Sequence, residues 1–124
     1  MSNKIRFNIL KHAGDALPYS AGDRIFTKGD PGDSMFVISS GEVNIVADGK
    51  VVDHLTAGEV FGEMSLIDRV ARSADAVAHT DCVLIKINEQ RFLYMTEHTP
   101  MFALQVMRMV TARLRERMAD LEKA

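Results

Sequence analysis

The chain has a single cysteine, Cys82, so no intrachain disulfide can form. It has no excess of either charge: 15 Lys and Arg against 17 Asp and Glu leave a net charge of −2, which gives no overall footprint for nucleic acid. It has no apolar run long enough for a transmembrane helix. Its start, Met1-Ser2-Asn3-Lys4-Ile5-Arg6-Phe7, lacks the apolar centre of a signal peptide. These absences place the expected protein in the cytoplasm, without a membrane partner. The histidines His12, His54, His79 and His98 are scattered and form no His-x-His pair, so the clustered ligands of a metal-dependent β-barrel enzyme are missing. No nucleophile elbow and no Ser-His-Asp pattern is present either. The expectation is a non-enzyme that uses no metal and no cofactor. There is no internal repeat and no low-complexity segment.

What is present fits one domain. The 124 residues are 47% hydrophobic, enough for a core. Residues 1–14 mix charge with Ile5, Phe7, Ile9 and Leu10 and read as a short helix or docking arm. Residues 15–88 read as short strands punctuated by turn pairs: Gly22-Asp23, Gly29-Asp30-Pro31-Gly32, Ser40-Gly41, Asp48-Gly49 and Ala57-Gly58. Val43, Ile45 and Ala47 point one way, and Glu42, Asn44 and Val46 the other. Asp48-Gly49 predicts a tight hairpin. Met35-Phe36-Val37-Ile38 is a continuous apolar run, the mark of a strand covered on both sides or at a core centre. Val83 to Ile87 is the last strand. The period then becomes helical. Asn88 is placed to cap a helix from Glu89. Thr99-Pro100 opens a second helix, with Thr99 at the cap position and Pro100 at the first helical position, running to about Leu121.

The segment from Gly58 to Ala74 carries the chemistry. Gly58 and Gly62 let backbone approach a ligand, Phe61 and Leu66 are apolar anchors, and Glu63 can accept from sugar hydroxyls. The run Glu63 to Asp68, including Met64 and Ser65, predicts a short helix whose first N–H groups are free. Arg72 supplies a forked cation, with Ser73 and Ala74 beside it. These are the parts of a site for a small phosphorylated sugar. Phe61-Gly62-Glu63-Met64-Ser65-Leu66 and Arg72-Ser73-Ala74 resemble the phosphate-binding cassette of the cyclic-nucleotide-binding domain family. Gly22 to Phe26, Gly29 to Phe36 and Gly41-Glu42-Val43 resemble that family's early glycine turns. One departure stands out: many members have Gly-x-Pro before the arginine, whereas here the residues are Arg69-Val70-Ala71.

The resemblance implies a mainly β fold: an eight-stranded antiparallel β-roll (double-stranded β-helix, jelly-roll-like) with a phosphate-binding cassette at 58–74 that contains a short helix, and C-terminal helices over 89–124. It implies that Arg72, Ser73, Ala74 and the N–H groups near Met64 and Ser65 hold the phosphate, that Glu63 holds the ribose hydroxyl, and that Gly62 leaves room for the sugar. Ligand contact and local helix capping both remain open for Ser65. Arg69 and Asp68 read as solvated or helix-end charges. Val46, Val52 and Leu55 are candidates for the base pocket, with ordinary core burial the alternative for each. The ligand implied is cAMP or cGMP. The family's threonine after the arginine favours cGMP through the guanine amino group, and Ser73 can make a shortened version of that contact; the expectation leans toward cAMP.

On the last helix Leu104, Met107, Thr111, Leu114, Met118 and Leu121 follow a heptad, and Phe102, Val106, Val110 and Arg113 form an adjoining stripe. One stripe can pack on the roll while the other forms a homodimer seam; a plain docking helix is the alternative. Arg108, Arg113, Arg115 and Arg117 read as a salt-bridged solvated face, with Arg115, Arg117 or Met118 a lid over the base. Three functions follow. The first is a sensor that signals by repositioning its C-terminal helices toward an unnamed effector. The second is a structural or protein-interaction roll, marked by a cassette collapsed around a Glu63–Arg72 pair. The third is the sensor part of a transcription regulator without its DNA-binding domain.

Overall fold

The computed structural model describes residues 14–123. The proposed N-terminal arm therefore lies almost wholly outside the described residues. Eight strands form two four-stranded antiparallel sheets. The first has the order β1 (Asp15–Tyr19), β8 (Cys82–Asn88), β3 (Ser34–Ser40), β6 (Val60–Phe61). The second has the order β2 (Arg24–Phe26), β7 (Asp75–Ala78), β4 (Val43–Ala47), β5 (Lys50–Leu55). Three helices are present among the described residues: α1 (Glu63–Asp68), α2 (Glu89–His98) and α3 (Pro100–Lys123).

The first sheet separates two cores. Strand alternation turns Phe36, Ile38 and Leu84 toward the second sheet, where they meet Val43, Leu55 and Phe61. Met35, Val37, Ile85 and Ile87 face the other way and pack under Met95, Phe102, Val106 and Met109 from the two long helices. The uninterrupted apolar run in β3 follows from this: each of Met35 to Ile38 is at most 5% exposed, because both faces of the strand are covered. Burying one such side chain contributes about 1.5–3 kcal/mol.

Local signals place the turns and caps. Asp48 and Gly49 take φ 53° and 75°, the two positive values of a type I′ hairpin, and join Ala47 to its register partner Lys50. The Asn88 side chain accepts the Arg91 N–H at 2.8 Å and caps α2. Thr99 is a one-residue joint. Its N–H closes α2 on the Met95 carbonyl at 2.7 Å and its carbonyl accepts the Phe102 N–H at 2.9 Å, while Pro100 takes the first position of α3. Helix α3 runs to Lys123, slightly past the expected Leu121. No helix of the described residues is long and apolar enough to cross a membrane.

One register feature was not foreseen. Ile45 pairs with Asp53 but Val46 pairs with Val51, so β5 bulges and Val52 is the extra residue. Val52 is 47% exposed as a result, which removes it from both the core and the base pocket.

Candidate functional site

The site is built where β6 runs into α1. Gly62 makes the turn at φ 75°, a left-handed conformation that side-chain-bearing residues rarely adopt. No side chain caps α1, so Ser65 does not serve as its cap; it is buried, at 3% exposure. The helix ends at Arg69, also left-handed at φ 56°, and Arg69 pairs with Glu89 at 3.3 Å on the surface. Asp68 is an exposed helix-end residue, as expected.

Arg72 sits in a slot between two glycines. A Cβ on Gly32 would lie 2.5 Å from Arg72 Nε, and one on Gly62 would lie 2.7 Å from Nη1. Nη1 donates to the Gly62 carbonyl at 2.9 Å and Nη2 to the Ser34 carbonyl at 2.8 Å. The Phe26 ring lies 4.2 Å below the guanidinium carbon, a cation–π contact. Phe26, Phe36 and Phe61 pack on one another, with Phe36 and Phe61 stacked at 5.2 Å. Nε is buried and has no hydrogen-bond partner among the described residues. Burial pulls the Arg72 pKa down from the usual arginine value, and Asp33, Asp30 and Glu63 oppose that shift. A guanidinium starts far above neutrality and stays charged. The missing Gly-x-Pro is offset by backbone bonds on both sides of Arg72: its N–H donates to the Asp30 carbonyl at 2.9 Å, and its carbonyl accepts the Gly29 N–H at 2.8 Å.

Glu63 does not pair with Arg72. Its carboxylate faces Arg113 of α3, Nη1 to Oε1 at 3.4 Å, with the two side chains only 13% and 23% exposed. The collapsed Glu63–Arg72 pair that would mark a ligand-free roll is therefore absent among the described residues. Arg113 Nη2 is buried without a hydrogen-bond partner among the described residues. Arg113 was expected on a solvated face, and here that expectation fails. Its place at the end of the Phe102, Val106 and Val110 stripe was the available signal: a charge closing an apolar stripe is carried to whatever that stripe covers.

A cavity of about 150 Å³ brings these groups together. Phe61, Gly62, Glu63, Met64 and Ser65 form one wall, with Arg72 and Ser73 beside them. Ala74 does not line it. The opposite wall is Phe26, Ile45, Asp53 and Leu55, roofed by Arg113 and Arg117. Of the base-pocket candidates only Leu55 lines the cavity; Val46 does not, and Val52 is displaced by the bulge. Of the lid candidates only Arg117 does. It lies four residues beyond Arg113 and so on the same helix face, whereas Arg115 points elsewhere and Met118 is exposed. Asp53, Phe26 and Ile45 were missed by sequence reasoning. A larger open groove of about 670 Å³ lies behind α1, between Gly32, Arg69 and Leu93, and shares Ser65 with the site but neither Glu63 nor Arg72. Among the described residues no three His, Cys, Asp or Glu side chains are grouped to hold a metal ion.

The sequence profile of the family described as "Cyclic nucleotide-binding domain" matches residues 16–99. The chain belongs to that family. Like the solved catabolite activator protein of Thermus thermophilus, this cyclic-nucleotide-binding domain is an eight-stranded roll with flanking helices; the two superpose with a TM-score of 0.81 at 32% identity, over 93% of this chain and 56% of that one. The cyclic AMP receptor protein of Thermus thermophilus is 36% identical over 109 residues, covering 84% of this chain and 50% of that protein. The cAMP-dependent protein kinase regulatory subunit of Aspergillus niger is 38% identical over 85 residues, 67% of this chain and 21% of that protein. The domain thus spans half or less of the length of these curated relatives.

Proposed function

We propose that the domain binds a cyclic purine nucleotide as a sensor and performs no chemistry on it. The observation that carries this reading is the Arg72 slot. A guanidinium is fixed between Gly32 and Gly62 in the wall of a cavity that also holds Glu63 and Ser73. In this reading the phosphodiester lies against Arg72, Ser73 and the backbone N–H groups near Met64 and Ser65, and the ribose hydroxyl donates to Glu63. A hydrogen bond to a charged group contributes about 1.5–3 kcal/mol, or roughly 10- to 150-fold in affinity.

Signalling follows from the roof. The ribose hydroxyl and Arg113 compete for the same carboxylate, so ligand entry alters the contact that ties α3 to α1. A ligand shifts an equilibrium only by its differential affinity for the two states, and Glu63–Arg113 supplies such a difference. The effector is reached through α3, as a homodimer partner or as further chain, and the site of action is the cytoplasm.

Calorimetric titration with cAMP and cGMP tests the site. Arg72→Ala and Glu63→Ala are each expected to weaken binding at least tenfold while circular dichroism stays that of the parent. Unchanged affinity in both variants overturns the assignment, and a parent that binds neither nucleotide favours a protein-interaction roll.

A further inference from the structure

Two charged side chains in the cavity have no role in holding a sugar phosphate. Asp53 lies on β5 two residues before the buried Leu55, so alternation turns it toward the roll interior opposite its register partner Ile45. One of its oxygens accepts the His54 N–H at 3.1 Å, and it forms no ion pair among the described residues. Arg117 lines the same cavity from α3, one helical turn beyond Arg113, and likewise has no ion-pair partner among the described residues. Around them the wall is apolar: Phe26, Ile45 and Leu55. The cavity thus offers the flat apolar surface a base needs, plus one group that only accepts and one that only donates.

We infer that Asp53 and Arg117 select guanine over adenine, so that the ligand of this site is cGMP. The inference rests on the cyclic-nucleotide reading above. Guanine presents two adjacent donors, N1–H and the N2 amino group, which match a carboxylate. On its other edge O6 and N7 are two adjacent acceptors, which match a guanidinium. Adenine alternates on both edges: its N6 amino group stands beside the acceptor N1 on one side and N7 on the other. A carboxylate laid along adenine meets the N1 lone pair, and a guanidinium meets the N6 hydrogens. Both charged groups therefore favour one purine and disfavour the other, which is how a site gains selectivity from attraction and repulsion together. The competing role for Asp53 is purely structural. β5 is an edge strand, and an inward-pointing charge protects an edge from pairing with another chain.

The test is a competition titration of the full chain against a fluorescent cyclic nucleotide, with cGMP and cAMP as competitors. The parent is expected to bind cGMP about tenfold or more tighter than cAMP, within the discrimination of a bidentate base contact. Asp53→Asn and Arg117→Gln replace each group by an amide, which carries one donor and one acceptor and so suits adenine. Each is expected to reduce the cGMP-to-cAMP ratio about tenfold. Equal or tighter binding of cAMP by the parent overturns the inference and leaves the nucleotide site standing. A ratio unchanged in both variants also overturns it and assigns Asp53 to edge protection. Displacement by neither nucleotide removes the nucleotide reading and this inference with it.

Discussion

At the residue scale the site depends on what two glycines leave out. Gly62 is required twice over, by its positive φ and by the nearness of Arg72. Gly32 has no such φ, so its cost on substitution is steric alone, and the steric conflict is with the Arg72 guanidinium and the Ser65 Cβ. Gly32→Ala is therefore expected to weaken nucleotide binding about tenfold. Gly49→Ala, at φ 75° with open space around it, is expected to cost about 1–2 kcal/mol of stability and leave affinity at the parent value. Paired titrations and urea melts separate the two, and parent-like affinity in Gly32→Ala would contradict the slot. The sequence showed the glycines and the arginine but not their mutual contact. Gly32 and Arg72 are distant in sequence, and nothing in local spacing says which turn a guanidinium will rest against.

At the scale of elements, α3 is two surfaces on one rod. Phe102, Val106 and Met109 are at most 4% exposed against the roll, while Met107, Leu114, Met118 and Leu121 stand 54–75% exposed on the outside. The outer row keeps the spacing of a helix–helix seam. Leu114→Glu with Met118→Glu is expected to leave the melting curve of the monomer unchanged and to abolish self-association in sedimentation velocity. A parent that stays monomeric at high concentration would leave the outer row to a different partner. Both stripes were legible because 3.6-residue periodicity is a local property. So were the Asn88 cap and the Asp48-Gly49 hairpin, each decided within a few residues. The β5 bulge was not, because register is settled between strands and a slip of one residue reverses which side chains face the cavity. Val52 was misplaced for that reason, whereas Asp53 follows from plain alternation with Leu55 and was overlooked because the base pocket was sought among apolar side chains.

At the scale of the whole molecule, the first sheet joins a roll that holds the site to a helical layer that covers its back. The rim connects the cavity to α3 through Arg113 and Arg117. Ligand binding is accordingly expected to change amide hydrogen exchange along α3 from residue 110 onward and in α1. Exchange in β1 and β8 should stay at the unliganded rate. Uniform protection across the chain would mean that ligand stabilises the fold without favouring one helix arrangement. Glycine turns and strand rhythm narrowed the architecture to an all-β sandwich or roll, and the family resemblance of the cassette singled out the eight-stranded roll. The helix was expected over the base through Arg115, Arg117 or Met118; the entry of Arg113 into the cavity was not, because it depends on how Thr99 sends the helix back across the roll.

The double coverage of β3 also bears on how such a chain can diverge. A strand with one wet face offers every second position to drift, but Met35 to Ile38 offer none, since each side chain belongs to one of two packed interiors. The packing leaves more room for substitution at the bulged edge of β5 and on the outer row of α3, where Val52 and Leu114 are exposed. Descendants of this sequence can exchange ligand or partner while the partition between the two cores stays fixed.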